Sequence, residues 1–213
     1  MMSRNEQLTQ NLKALYESST EALLFHGWHH VQFVVRKSVE FAEELKVDRE
    51  LAKAAALTHD LNYLIDTKST VDTGAALRAQ QLAKVGYDEA EIAIIEEAVH
   101  SASTEHRSAS IATLAKALSD ADALFKVLPV GPMILSARFI TETKTDLRKW
   151  ADRIMREQQP LLDSGIYFYT QTARDRYLEW ARLNLEWVAM VQRSLDDPDI
   201  QLFLEDCKRL GYL

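Results

Sequence analysis

Apolar residues in this chain recur every three or four positions and almost nowhere at every second one. That spacing puts side chains on one face of an α-helix, whereas a half-buried strand needs strict alternation. "EQLTQNLKALYESS" aligns Leu8, Leu12 and Leu15, and "VQFVVRKSVEFAEELK" aligns Val31, Val34, Val35, Ser38, Phe41 and Ala42. Start and stop residues divide the pattern. Asp48 caps "RELAKAAALTHDL", Gly86 stops "TGAALRAQQLAKVGY", and Asp88 with Glu91 has capping-box spacing ahead of "IAIIEEAVHSAS". "SIATLAKALSDADALFKV" halts near Pro129, Gly131 and Pro132. One long helix is predicted from Met133 to about Gln158, ended by "PLLDSGIY". "TQTARDRYLEWARLNLEWVAMVQRSL" follows, then a last helix between Asp197–Pro198 and Gly211. The expectation is an all-α fold in one domain, a core over about residues 22–131 and a helical extension over about 132–213. Clustered Trp150, Trp180 and Trp187 predict that the extension buries an apolar face against the N-terminal half.

Composition narrows the function classes. A chain of 213 residues that is 47% hydrophobic, with 6 Gly and 4 Pro, suits one ordinary globular core. A formal net charge of −7 without a basic cluster disfavours duplex nucleic acid and anionic membranes as partners, since phosphate-rich surfaces need Lys and Arg. A small phosphorylated substrate stays compatible, because a metal ion supplies positive charge locally. The single Cys207 excludes an intrachain disulfide and fits a reducing, cytoplasmic setting. No window approaches ~18 uninterrupted apolar residues, so no membrane span is expected. A homodimer is compatible with the extension covering a partner chain.

"ALTHDLNY" puts His59 and Asp60 side by side near the end of an apolar helix. Two further polar residues sit on apolar faces. His30 lies one turn from Val34 and two from Ser38 and Phe41, while His29 shares the polar side with Phe33, Arg36 and Glu40. Asp122 follows Leu118 by four and precedes Phe125 by three, while Asp120 lines up with Thr113 and Lys116 on a side that reads as solvated. His30 and Asp122 are thus expected inward, His29 and Asp120 outward. A buried carboxylate without a partner costs several kcal/mol, so Asp60 and Asp122 need a positive group. Two imidazoles and two carboxylates make a mixed N/O donor set for one divalent ion: Mn, Fe, Co, Ni, Zn or Mg.

"HHV", "HDLNY" and "SDADALF", in that order, resemble the H…HD…D pattern of the HD superfamily of metal-dependent phosphohydrolases, over roughly Phe25 to Gly131. The resemblance implies an all-α fold that holds its metal between helices, with His30, His59, Asp60 and Asp122 as ligands. "EEAVHSAS" is similar to the helix before the last ligand in small members, where a histidine lines the pocket; His100 has that place. After the doublet the first acidic side chain is Asp66, and no histidine follows by about twenty residues, which favours a mononuclear site over a di-iron one.

The implied chemistry is hydrolysis of a phosphorylated metabolite or nucleotide, with the metal as Lewis acid and source of an acidified water. Asp60 would be ligand and water orienter. Asp66 and His100 are the candidates for general acid, His100 also for holding phosphate. Lys68, Arg107 and Lys126 are the candidates for charge on the phosphoryl oxygens. Two other readings compete: a non-catalytic, metal-containing regulatory module, and a di-iron oxygenase that would draw on His100 and His106.

Overall fold

The computed structural model describes residues 2–212, and among them the regular structure is entirely helical. In chain order the helices are α1 (Arg4–Glu17), α2 (Trp28–Leu45), α3 (Arg49–Thr58), α4 (Ala75–Lys84), α5 (Glu89–Ala102) and α6 (Thr113–Lys126). Then come α7 (Gly131–Ile134), α8 (Ser136–Thr143), α9 (Leu147–Asp163), α10 (Gln171–Ser194) and α11 (Pro198–Arg209). Two short 3-10 turns, Leu61–Leu64 and Val71–Gly74, link α3 to α4. Among the described residues no helix is long and apolar enough to cross a membrane.

The starts follow the capping chemistry. Asp48 accepts from Glu50 N and Leu51 N, and Asp88 and Glu91 close a reciprocal capping box on α5. Asp197 accepts from Asp199 N and Ile200 N, with Pro198 in the first turn of α11. Gly86, Gly165 and Gly211 adopt positive φ at helix ends, where a Cβ would be strained.

The expected single helix from Met133 to Gln158 is corrected: it is three helices. Lys144 turns left-handed (φ 50°) at the end of α8, and Asp146 caps α9 by accepting from Lys149 N at 2.8 Å. An N-cap side chain stabilises a helix start by about 1 kcal/mol, enough to restart a helix that apolar period alone would run through. Pro160, expected in the break, lies inside α9, whose stop comes at Ser164 and Gly165.

α2 is the centre of the packing, lying against α6 and α3, with α5 against α6. α6 is buried nearly all round, from Leu114 and Ala115 to Leu124 and Phe125. The extension divides between two cores. Leu161, Tyr167, Phe168, Ala173, Tyr177, Ala181 and Leu185 join the main cluster with Leu8, Phe41 and Leu57. Trp150, Ala151 and Val188 form a separate small cluster, on which Trp187 packs. Burying a side chain the size of Leu or Phe contributes about 1.5–3 kcal/mol, so the part of the extension that joins the main core is integral to it.

Candidate metal centre

Three segments bring four polar side chains together, three of which, His59, Asp60 and Asp122, line a cavity, with His30 buried behind them. The first is the start of α2. Gly27 is its N-cap, and a Cβ there would meet Leu23 O at 2.6 Å, so the chain needs glycine to turn in this tightly. His30, in the first turn, is fully buried. The second is the end of α3. In a continuous helix His59 and Asp60 would diverge by about 100°. The helix stops at Thr58 instead, and Asp60 adopts φ −106°, ψ 19°, a bridge-region conformation common at active sites. Both side chains of the doublet therefore reach the same point. The third is α6, which presents Asp122.

His30 Nε2 lies 3.0 Å from His59 Nε2, 2.9 Å from Asp60 Oδ2 and 3.5 Å from Asp122 Oδ1; His59 Nε2 is 3.2 Å from Asp60 Oδ2. His59 Nδ1 donates to Ala56 O at 2.8 Å, which puts its remaining lone pair on Nε2, facing the others. Asp60 Oδ2 is buried with no hydrogen-bond partner among the described residues. Two lone pairs at this separation repel unless a proton or a metal cation stands between them. Donors sharing one ion at about 2.1 Å sit roughly 3.0–3.4 Å apart, so the set fits a divalent metal. His30, His59 and Asp122 alone offer a donor set within 4.8 Å of one another.

The protonation equilibria report the same crowding. Burial opposes ionisation of Asp60, but His59 and His30 outweigh it and hold its carboxyl well below the usual carboxylate range. Burial disfavours protonated His59, yet the Asp60 and Asp122 carboxylates raise its pKa. For His30 burial dominates and the pKa is lowered. Lys126 Nζ holds the other oxygen of Asp122 at 2.7 Å and also donates to Thr104.

The remaining sequence candidates separate. His29 is exposed and outside the cluster, as its helix face implies. Lys68 and Lys126 line the cavity. Asp66 does not: it is exposed and its Oδ1 accepts from Lys68 N at 2.9 Å, closing a turn of the loop. His100 does not either. It pairs with Asp72 at 2.9 Å and stacks on His106 at 3.9 Å, because its position on α5 points away from the cavity that Val99 and Ala102 border. Arg107 is also corrected: it donates to Ile166 O and Tyr167 O and so ties down the loop before α10.

Asp120 is the sharpest correction. It is fully buried rather than solvated. Its carboxylate accepts from Tyr169 N, Thr170 N and Thr170 Oγ1 at 2.7–3.1 Å, anchoring the start of α10. Thr113 and Lys116 on the same side of α6 stay at the surface, but the Tyr169–Thr170 segment covers the next turn. Helical period predicts a face, not what another segment lays over it.

Some cavity residues had no strong local signal. His26 stacks on Tyr63 at 3.6 Å, and its Nδ1 is paired with Glu142 of α8. Glu142 also accepts from Phe25 N at 2.6 Å and His26 N at 3.2 Å. The extension further contributes Trp150, Arg153 and Arg156 to the cavity wall. A third histidine in "FHGWHH" was the one hint available for His26.

Residues 27–126, which hold all four clustered side chains, match the HD domain family. Residues 27–126, just under half of the chain, are thus similar to an HD domain. The HD segment and the extension together are similar to Bacillus subtilis YpgQ, whose crystal structure is a complex with ADP. The identity is 21%, the TM-score 0.59, and the match covers 89% of this chain and 98% of that one, a likeness of fold. No curated protein matches significantly. HD domains bind divalent metals, and the family is made up mainly of hydrolases.

Proposed function

We propose that this protein is a metal-dependent phosphohydrolase acting on a small phosphorylated molecule, a nucleotide being the leading class. The observation that carries the reading is the convergence of His59, Asp60 and Asp122 on His30, whose Nε2 lies 2.9–3.5 Å from a donor atom of each, beside a cavity of about 490 Å³. A divalent ion held by these four residues supplies Lewis acidity toward a phosphoryl oxygen and toward water. The protein's own parts do the rest. Lys126 fixes Asp122 and places a positive charge at the cavity wall, where developing charge on a phosphoryl group needs it. Tyr63 and Phe139 offer apolar surface beside it, and the volume lies within the range of small-molecule sites. The ADP held by the similarly folded YpgQ supports a nucleotide as ligand.

One observation favours a second reading, a metal-containing module that binds without turnover. Asp66 and His100, the acids expected from sequence, both lie off the cavity. Metal analysis of purified protein, then a screen of phosphomonoesters and nucleotides with added Mn, Co, Ni or Mg, decides between the two. Hydrolysis of any of them by wild type and not by Asp60→Asn supports the enzyme. Stoichiometric metal without turnover of any compound supports the module.

A further inference from the structure

A second depression of about 370 Å³ opens beside the metal-centre cavity, and the two share Thr67, Lys68, Phe139, Trp150 and Arg153. Its chemistry differs from the rest of the protein. Four of its nine lining residues are cations, Lys68, Lys144, Lys149 and Arg153, and none is acidic. The chain as a whole has a formal net charge of −7, so this concentration runs against the composition. Two cations have neighbouring counter-charges outside the lining: Lys149 with Asp146 and Arg153 with Glu157, each at 2.9 Å. Lys68 and Lys144 make no ion pair among the described residues. Thr67 and Thr145 add hydroxyls to the same wall.

Such a wall suits an anion. Like charges gathered in a concavity repel one another and raise the local concentration of negative ligands. Ammonium and guanidinium groups make their shorter, stronger hydrogen bonds to phosphate oxygens. The metal centre alone would serve a substrate with one phosphoryl group. The adjoining basic wall has no role for such a substrate.

We infer that this annex holds a second phosphoryl group of the substrate whose reacting phosphoryl group lies at the metal centre. The substrate class is then a molecule with at least two phosphoryl groups, such as a nucleoside diphosphate or triphosphate, rather than a monophosphate. The assignment rests on the phosphohydrolase reading for the reaction, but not for binding. The annex also gives the extension a part in recognition, since Lys144, Lys149 and Arg153 come from the α8–α9 region and only Lys68 comes from the HD segment.

The test compares full-length wild type, Lys144→Gln/Lys149→Gln, and the charge-matched control Lys13→Gln/Lys84→Gln on α1 and α4, neither of which lines the cavity or the annex. Each is titrated calorimetrically with inorganic tripolyphosphate and with inorganic phosphate, without added metal, after circular dichroism has shown equal helicity. Wild type and control are expected to prefer tripolyphosphate by at least tenfold, and the annex variant to lose that preference. The second arm measures KM for adenosine mono-, di- and triphosphate with Mn present. The KM ratio of monophosphate to triphosphate is expected to fall about tenfold in the annex variant alone. Equal tripolyphosphate affinity in wild type and annex variant overturns the inference, as does an equal loss in the control. Lost tripolyphosphate preference in the annex variant, with no turnover of any nucleotide by wild type, upholds the annex and overturns the hydrolase reading instead.

Discussion

The HD segment and the C-terminal extension approach the same cavity with opposite chemistry. The segment, residues 27–126, supplies two imidazoles and two carboxylates held in place by its own backbone: the first turn of α2, the broken end of α3, and α6. The extension supplies cations and aromatic surface from α8 and α9, and it reaches the segment through buried polar anchors. One anchor is Asp120 on the start of α10; the other is Glu142 on Phe25 and His26, which directly precede the segment. The difference teaches that a site can be written locally on one side and assembled only by long-range docking on the other. Two aspartates, Asp120 and Asp122, stand two residues apart on α6 and serve these separate ends.

The comparison breaks most completely if the extension is removed. A fragment ending at Gly131 loses Leu161, Tyr167, Phe168 and Tyr177 from the main core and leaves the buried Asp120 without its donors. It is expected to be insoluble or to melt without a cooperative transition, with weak near-ultraviolet dichroism. A monomeric fragment that unfolds cooperatively would show the extension to be a separate module.

Next in size is Asp60→Asn. An amide oxygen is a poorer donor to a hard divalent ion, and the change keeps the shape. Bound metal and turnover should fall by more than the roughly 10–100-fold that losing an outer partner of a metal ligand costs, with the helical spectrum intact. Full metal occupancy in the variant would reduce the doublet to a structural role.

Asp120→Ala tests the other end of α6. Helical period alone makes it a silent surface change. The structure makes it destabilising by about 2–3 kcal/mol, because Tyr169 N, Thr170 N and Thr170 Oγ1 lose their acceptor in the interior. Metal content should be retained. A denaturation midpoint equal to wild type would mean that the extension does not rely on this anchor. The same residue predicts a pH dependence. Burial pushes the Asp120 carboxyl up to about 6, against the donors that favour its ionised form. The folded protein then keeps this proton to higher pH than the unfolded chain does. Stability from this group is therefore present below the ordinary carboxylate range and lost as pH rises through about 6. Asp120→Ala should remove that slope from a plot of melting temperature against pH.

The smallest effect is expected from Glu142→Gln. The amide keeps one acceptor for Phe25 N and His26 N but removes the charge paired with His26. A loss of about 1–2 kcal/mol is expected, measured by chemical denaturation. No change in either stability or nucleotide KM would show that the clasp does not set the cavity wall.

The amino-acid sequence by itself determined the helices, their caps and the inward placement of His30 and Asp122. These are local properties, fixed by the 3.6-residue period and by side chains that satisfy amides one turn away. The order of "HHV", "HDLNY" and "SDADALF" was also enough to select the four clustered side chains, although only folding brings three separated segments within 3.5 Å. The tertiary structure alone decided what covers each face. It buried Asp120 beneath Tyr169 and Thr170, turned His100 toward Asp72, assigned Arg107 to the Ile166–Tyr167 carbonyls, and carried Lys144, Lys149 and Arg153 to Lys68. The physical reason is range. A helix face follows from residues three or four positions apart, whereas the partner of a polar side chain on that face is chosen by segments 28 to 59 residues away, through packing that no local pattern records.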